Sequence, residues 1–162
     1  MNKVLLGIAL LSASFLGFTA FGSKHGHEIG NYVPELNLFN ATDSTEISVN
    51  DLQGKYTLLN FWSSDDASSR LKEKIYQTNN LSDLSDSMHY VSVNLDRNTK
   101  LGLAVSRIDG FDPLTQYYIK GSMADIIKKY GMKENLKSFL LDSNGEIVSI
   151  NPTVAEIQSF LN

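Results

Sequence analysis

The chain of 162 residues contains no cysteine at all. This absence excludes disulfide bonds, thiolate nucleophiles, iron–sulfur clusters and zinc sites built from cysteine. Positive charge is also in short supply, because 14 Lys and Arg against 18 Asp and Glu leave a net charge of −4. We therefore expect neither nucleic-acid binding nor a polybasic membrane-binding surface. No repeat or low-complexity linker divides the sequence, and its length predicts one folded domain.

The first 22 residues have the pattern of a signal peptide. Lys3 supplies a positive charge and Val4–Phe18 is an apolar run. Ala20 and Gly22 are small residues two positions apart, which predicts cleavage after Gly22. The alternative is an uncleaved anchor over Val4–Phe21, whose 18 residues are barely enough to span a bilayer. Cleavage is favoured because serine and threonine dilute the run.

A cleaved signal peptide implies an exported protein of the periplasm or cell envelope, with no membrane insertion once the signal is removed. A lipoprotein is excluded, because the acylated residue would have to be a cysteine, which the chain lacks. After the signal peptide we predict a flexible leader over residues 23–31, which is rich in glycine and histidine. A single domain follows over residues 32–162.

Apolar patterning predicts a mixed central sheet with helices on both faces, which is an α/β fold. Tyr56–Trp62 is almost continuously apolar, as expected of a central strand buried on both faces. Strands are predicted over Leu36–Phe39, Glu46–Val49, Tyr56–Trp62, Tyr90–Leu95, Gln116–Ile119, Ser138–Leu141 and Glu146–Ile150.

Four helices are predicted between and after these strands. Helical spacing puts one apolar face on each of the first two helices, formed by Ala67, Leu71 and Ile75 in the first and by Leu101, Ala104, Val105 and Ile108 in the second. Two capping-box patterns predict the starts of the others, Ser122 with Asp125 and Thr153 with Glu156.

Residues spread over the chain from Gly30 onward match the pattern of one protein family. The matching residues are Gly30, Pro34, Leu36, Leu38, Ser48, Leu52, Gly54, Lys55, the run Leu58-Leu59-Asn60-Phe61-Trp62, Tyr130, Met132, Phe139, Leu140, Leu141, Asp142, Gly145 and Ile147. In these residues the chain resembles the TlpA/ResA-type thioredoxin-like proteins, which are exported bacterial thiol–disulfide oxidoreductases. The resemblance implies a thioredoxin-like fold.

The chain departs from this family around the family's active site. Where the family has Cys-x-x-Cys, the resemblance puts the nucleophilic cysteine at Asp66 and the resolving cysteine at Ser69. The family's cis-proline falls on Leu136, and its acid and helix-kinking proline fall on Lys72 and Lys74. Exchange needs a thiolate nucleophile and a second thiol. The resemblance therefore implies a member of the family with no redox centre of its own.

We expect the surface around the lost dithiol to bind an unidentified envelope protein or peptide. The candidate binding face consists of Trp62, Ser64, Asp65, Asp66 and Leu136, with no cofactor and no metal. Two enzymatic alternatives remain, a redoxin that acts with a partner thiol protein and a new catalytic site built on Asp66. The polar residues at the start of the helix are also explained by N-capping alone.

The three histidines are weak candidates for chemistry. His25 and His27 lie close together in the leader, where a pair of this kind seldom holds a metal specifically. His89 precedes the predicted strand Tyr90–Leu95, whereas Asp66 follows the end of one, so we expect His89 and Asp66 to lie at opposite edges of the sheet.

Overall fold

A computed structural model describes residues 24–79, 81 and 86–162 of the chain. The predicted signal peptide, residues 1–22, and Ser23 at the start of the predicted leader lie outside these ranges. None of the helices in the described ranges has the length and apolar character needed to cross a membrane.

The centre of the fold is a seven-stranded mixed sheet with the strand order β2-β1-β5-β4-β3-β6-β7. The strands are β1 (Asn37–Asn40), β2 (Glu46–Ser48), β3 (Tyr56–Trp62), β4 (Met88–Asn94), β5 (Gln116–Ile119), β6 (Ser138–Leu141) and β7 (Ile147–Ile150). The helices are α1 (Ala67–Thr78), α2 (Thr99–Asp109), α3 (Met123–Lys129) and α4 (Val154–Leu161). The predicted order of strands and helices is confirmed, with strand ends shifted by one or two residues.

Strand β3 is the central strand, as its apolar sequence predicts. Every residue after Tyr56 in this strand is buried. It pairs in parallel with β4, from Tyr56 opposite Met88 to Trp62 opposite Asn94. The loops that follow Trp62 and Asn94 therefore emerge at the same edge of the sheet, which is where ligands bind in open α/β sheets.

Apolar side chains cover both faces of the sheet. One cluster includes Phe61 and Tyr130, whose ring centroids lie 5.1 Å apart, and takes in Ile126 of α3. The cluster on the opposite face includes Tyr76 of α1 and Ile157 of α4. Helices thus cover both faces of the mixed sheet, as the sequence predicts.

Residues 24–31 form backbone hydrogen bonds to the domain. Gly30 N–H donates to the Ile147 carbonyl, and Ile147 N–H donates to the Asn31 carbonyl, both at 2.9 Å. The part of the predicted leader that the structure describes, residues 24–31, is thus in contact with the domain. These contacts are made by backbone groups, so glycine- and histidine-rich composition gave no sign of them.

The buried faces of α1 and α2 differ from the predicted ones. Leu71 of α1 is 62% exposed, whereas Glu73 is fully buried at 0%. In α2, Ile108 is 81% exposed, and the buried positions are Gly102 and Ser106. Both helices therefore bury polar or small residues at positions predicted to be exposed, although α1 also buries Tyr76, and both leave apolar residues in solvent. The reason is local: Glu73 lies against Asn60 and Tyr90, and Gly102 lies against Asn94.

Candidate functional site

A groove opens at the sheet edge where β3 and β4 end. We call it the Asp66 groove; its volume is about 520 Å³. One wall is the loop and helix start from Ser63 to Ala67, and the opposite wall is the segment from Met132 to Leu136. The apolar side chains that line it are Leu95, Ile127, Met132 and Leu136. The groove thus joins positions 66 and 136, which the resemblance assigned to the family's active site.

Asp66 caps helix α1. Its Oδ1 accepts a hydrogen bond from Ser69 N–H at 2.9 Å, and the Ser69 hydroxyl donates to the Asp66 carbonyl at 3.0 Å. A carboxylate at this position also interacts favourably with the positive end of the helix dipole. The N-capping interpretation is confirmed. Two hydrogen bonds thus join Asp66 and Ser69 at the start of the helix.

Asp96, which follows β4, anchors the loop after β3. Its carboxylate accepts hydrogen bonds from the Ser64 backbone N–H at 3.0 Å, from the Ser63 hydroxyl at 2.8 Å and from the Ser64 hydroxyl. Asn94 Nδ2 donates to it as well, at 3.0 Å. Burial raises the pKa of Asp96, but the hydrogen bonds from Ser64, Asn94 and Ser63 outweigh burial and hold the pKa below its ordinary value. The groove wall is therefore tied to the neighbouring strand.

Two residues of the predicted binding face do not point into the groove. Trp62 is 0% exposed, and its Nε1 donates to Gln116 Oε1 at 3.0 Å. Ser64 turns toward Asp96 and does not line the groove. The side chains of Trp62, at the end of β3, and of Ser64, in the loop that follows, therefore face away from the groove. The groove retains Asp65, Asp66 and Leu136 from the predicted face.

Leu136 supplies an apolar side chain where the family has a proline. It is half-buried and packs against the apolar cluster that contains Phe61. Among the described residues no peptide bond is cis, so the bond before Leu136 is trans. The adjacent Lys137 carbonyl accepts from Phe61 N–H at 3.1 Å, which joins this wall of the groove to the central strand.

A buried polar network joins helix α1, which begins at the groove, to the sheet. Its centre is the carboxylate of Glu73, which receives four hydrogen bonds. Asn60 Nδ2 and the Tyr90 hydroxyl donate to Oε2, both at 2.6 Å. Gln77 and Gln116 donate through Nε2 to Oε1, both at 2.9 Å. Four donors satisfy the buried carboxylate, which explains how an acidic residue can occupy the core.

The same network fixes the end of the central strand. Gln116 Oε1 accepts from Trp62 Nε1, and Ser92 Oγ donates to it at 3.3 Å. Burial, followed by the charge of Glu73 and the hydrogen bond to it, raises the pKa of Tyr90 well above its ordinary value. Tyr90 therefore keeps its proton and acts as a donor. Helix α1 is connected in this way to β3, β4 and β5.

The histidines stand apart from the groove chemistry. His25 Nδ1 lies 3.1 Å from the Val33 carbonyl oxygen, and His27 Nδ1 lies 3.2 Å from that of Lys129. His89 lies near the start of β4, at the sheet edge opposite Asp66, as predicted. Burial, followed by the charge of Lys55, lowers the pKa of His89. In the ranges that the structure describes, no three His, Asp or Glu side chains converge to hold a metal ion.

Sequence reasoning missed two residues that shape the site. Asp96 could have been found, because it follows the parallel strand next to β3 and such strand ends share one edge. Glu73 could not, because its place among charged residues of an amphipathic helix predicts exposure. Only the polar partners on three strands make its burial possible.

Neither a protein-family model nor a curated protein sequence matches the chain. Solved structures do match it. A thioredoxin-like protein from Parabacteroides distasonis superposes with a TM-score of 0.70 and 26% sequence identity, and the match covers 85% of this chain and 97% of that one.

Two further solved structures share the fold at lower identity. The thioredoxin domain of a thiol–disulfide oxidoreductase from Bacteroides vulgatus has a TM-score of 0.72 and 21% identity, covering 83% of this chain and 99% of that one. A thiol:disulfide interchange protein from Bacteroides sp. has a TM-score of 0.71 and 18% identity, covering 83% and 91%. These structures confirm the thioredoxin-like fold and the resemblance drawn from the sequence. The absence of cysteine agrees with a divergent relative that lacks the dithiol.

Proposed function

We propose that this cysteine-free chain with a thioredoxin-like fold binds a protein or peptide segment in the Asp66 groove. Because no cysteine occurs anywhere in the sequence, it can supply neither the attacking nor the resolving thiol of a disulfide exchange. The observation that carries the proposal is the groove itself. It has an apolar lining and lies where the resembling family holds its dithiol.

The lining of the groove supports binding of a polypeptide. Leu95, Ile127, Met132 and Leu136 offer apolar contact, and Asp65 and Asp66 add charge at one wall. A concave site with apolar side chains and a few placed polar groups is the usual form of a binding site. The wall is also held in place, since Asp96 fixes one loop and Phe61 N–H fixes the other. A fixed surface loses little conformational entropy when a ligand binds.

The alternative of a new catalytic site at Asp66 finds no support in the geometry. The Asp66 carboxylate is engaged by Ser69 N–H as a helix cap, and the Ser69 hydroxyl donates to a backbone carbonyl. Neither group is paired with a base or a metal-ligand cluster in the described ranges. An activated nucleophile needs such a partner.

We further propose that binding takes place outside the cytoplasm and that the partner is an envelope protein or peptide. Residues 1–22 have a signal-peptide pattern, and the similar solved structures include a thiol:disulfide interchange protein and a thiol–disulfide oxidoreductase. Mass spectrometry of the protein recovered from the periplasm of expressing bacteria is the check. Loss of residues 1–22 supports export, and an intact N-terminus contradicts cleavage.

Selection from a random peptide library displayed on phage tests the binding role. Purified protein is expected to enrich peptides that share an apolar residue, and these peptides should bind roughly tenfold more weakly to the variant Leu136→Arg, which places a charge on the lining. The matched control is Leu101→Arg, since Leu101 is exposed on α2 and away from the groove. Asp65→Arg is a second groove variant at an exposed position, used in case Leu136→Arg unfolds the protein.

The outcome of this selection separates the hypotheses. Enrichment that Leu136→Arg or Asp65→Arg weakens and Leu101→Arg preserves supports binding in the groove. Absence of enrichment, or equal weakening by Leu101→Arg, contradicts it. Disulfide reduction by the purified protein with dithiothreitol as donor would contradict the absence of redox activity.

A further inference from the structure

A second pocket adjoins the Asp66 groove and has the opposite charge. Its volume is about 410 Å³, and we call it the basic pocket; the basic residues that define it are His27, Lys128, Lys133 and Lys137. Lys133, Glu134 and Asn135 line both the basic pocket and the groove. The groove and the basic pocket therefore meet at this segment and form one continuous surface.

The folded leader makes one wall of the basic pocket. His27 Nδ1 lies 3.2 Å from the Lys129 carbonyl oxygen at the end of α3. The His27 ring packs directly over Gly131, where an added Cβ would lie 2.6 Å from His27 Cδ2. Gly131 also has a φ of 62°, which glycine adopts without strain. The pocket is thus shaped by tertiary contacts between residues distant in the sequence.

The lysines of the basic pocket have no carboxylate partner within the described part of the chain. The ion pairs found there join Arg70 to Asp109 and Lys120 to Glu46. Glu134 is the one acidic residue in the lining of the basic pocket, against three lysines. The pocket is therefore a local excess of positive charge in a protein with a net charge of −4. Such a local field attracts an anionic group.

Charge is distributed unevenly along the continuous surface. Asp65 and Asp66 line only the groove, whereas Lys128 and Lys137 line only the basic pocket. The apolar lining of the groove adjoins the basic pocket, because Ile127 and Leu136 of the groove directly precede Lys128 and Lys137 in the chain. A ligand that fits the whole surface carries an apolar anchor with acidic groups beyond it on the side of the basic pocket. A free phosphate or a nucleic acid carries negative charge but lacks an apolar anchor.

We propose that the basic pocket binds an acidic stretch of the polypeptide that occupies the Asp66 groove. The inference rests on the proposed function and adds the chemical class of the partner, a segment with Asp or Glu side chains on one side of an apolar residue. Opposite charges across an interface set specificity and orientation more than total affinity. The lysines therefore select which segment binds and in which direction.

The same peptide selection tests this inference with a different variant pair. Lys128→Glu combined with Lys137→Glu reverses two charges of the basic pocket and leaves the groove lining unchanged. Lys100→Glu combined with Arg107→Glu makes the same change in net charge at exposed positions of α2 outside both concavities. Wild-type protein should enrich peptides with carboxylates on one side of the apolar residue. Their affinity should fall about tenfold in the first variant and stay within about twofold in the control.

Each outcome supports or overturns the inference. Acidic enrichment lost only in Lys128→Glu/Lys137→Glu supports it, as does weaker binding at higher salt. Enriched peptides that lack an acidic bias but depend on Leu136 overturn it while leaving the proposed function standing. Lysine-dependent binding to phosphatidylglycerol vesicles or to duplex DNA, without acidic peptides, overturns it in favour of a phosphate ligand. If no peptide is enriched, the proposed function fails and the inference fails with it.

Discussion

At the scale of single residues, Glu73 is the most unusual feature of this protein. It is an acidic residue with no solvent exposure, and each carboxylate oxygen receives two hydrogen bonds from neutral side chains. Its neighbour Leu71, an apolar residue, lies largely in solvent. At positions 71 and 73, helix α1 therefore inverts the usual relation between polarity and burial.

This inversion predicts an inverted pattern of mutational effects in α1. Glu73→Ala should lower the free energy of unfolding by about 4 kcal/mol, because four buried donors lose their acceptor. Leu71→Ala should lower it by less than about 0.5 kcal/mol, because the Leu71 side chain is already exposed. Urea denaturation followed by circular dichroism measures both values. A larger loss for Leu71→Ala than for Glu73→Ala would show that the buried face of α1 is assigned incorrectly.

Cysteines placed at positions 66 and 69 are expected to form a disulfide bond. The double variant Asp66→Cys/Ser69→Cys should form an intramolecular disulfide, since positions three apart at a helix start bring their Cβ atoms close enough for S–S bonding. Thiol titration after mild oxidation measures it, with no free thiol expected. The control Asp66→Cys/Ser68→Cys should keep both thiols, because residues two apart point in different directions. Free thiols in the first variant would contradict the assignment of these positions to the lost dithiol.

At the scale of secondary-structure elements, helix α2 shows why apolar spacing can mislead. Leu101 and Ile108 have helical spacing, yet the helix packs through Gly102. A Cβ at Gly102 would lie 2.4 Å from Oδ1 of Asn94, and Asn94 is buried and hydrogen-bonded to Asp96. Close approach of the helix backbone to the strand, rather than burial of large side chains, fixes the position of α2.

Substitution of Gly102 tests this close approach. Gly102→Ala should improve helix propensity by about 1 kcal/mol but cost about 2 kcal/mol in overpacking against Asn94, so the protein should be less stable by about 1 kcal/mol. Leu101→Ala is the control in the same helix and should change stability by less than about 0.5 kcal/mol. Thermal unfolding compares the two variants. A higher melting temperature for Gly102→Ala would mean that α2 does not approach Asn94 so closely.

The start of helix α4 was predictable from sequence and makes a contrasting case. The capping box predicted for Thr153 and Glu156 is present, with Thr153 N–H donating to Glu156 Oε2 at 2.7 Å and Glu156 N–H donating to Thr153 Oγ1 at 3.2 Å. Thr153→Ala should lower the free energy of unfolding by about 1 kcal/mol. Denaturant titration measures the change, and Thr153→Ser, which keeps the hydroxyl, should retain most of the stability. An unchanged stability in Thr153→Ala would contradict a role for the cap.

At the scale of the whole molecule, local signals predicted the fold and long-range contacts escaped prediction. Tyr56–Trp62 was predictable as a central strand, because a strand buried on both faces has a nearly continuous apolar sequence. The resemblance assigns Asp66 and Leu136 to one site, and both residues line the Asp66 groove, because the fold brings these distant positions together. The inward turn of Trp62 and the burial of Glu73 depend on partners many residues away. A short stretch of sequence contains no pattern that predicts such long-range contacts.

Charge and shape at the binding face also depend on the whole fold. The basic pocket joins His27 of the leader to Lys137 before β6, and the Asp66 groove joins the end of β3 to the same segment. Composition alone predicted no basic surface, because the net charge of −4 sums the acidic residues of the groove, the lysines of the basic pocket and all other charges. The fold places Asp65 and Asp66 in the groove and Lys128 and Lys137 in the adjoining basic pocket.

The proposed function requires that a polypeptide bind in the Asp66 groove. The most direct test is amide hydrogen exchange of the protein alone and with a selected peptide. Slower exchange is predicted in the loop around Asp66 and in the segment from Met132 to Leu136, the two walls of the groove. The protein also has an apolar concavity of about 600 Å³ between α1 and α4, lined by Ile75 and Val154. Protection there instead, or no protection at either groove wall, would contradict the claim.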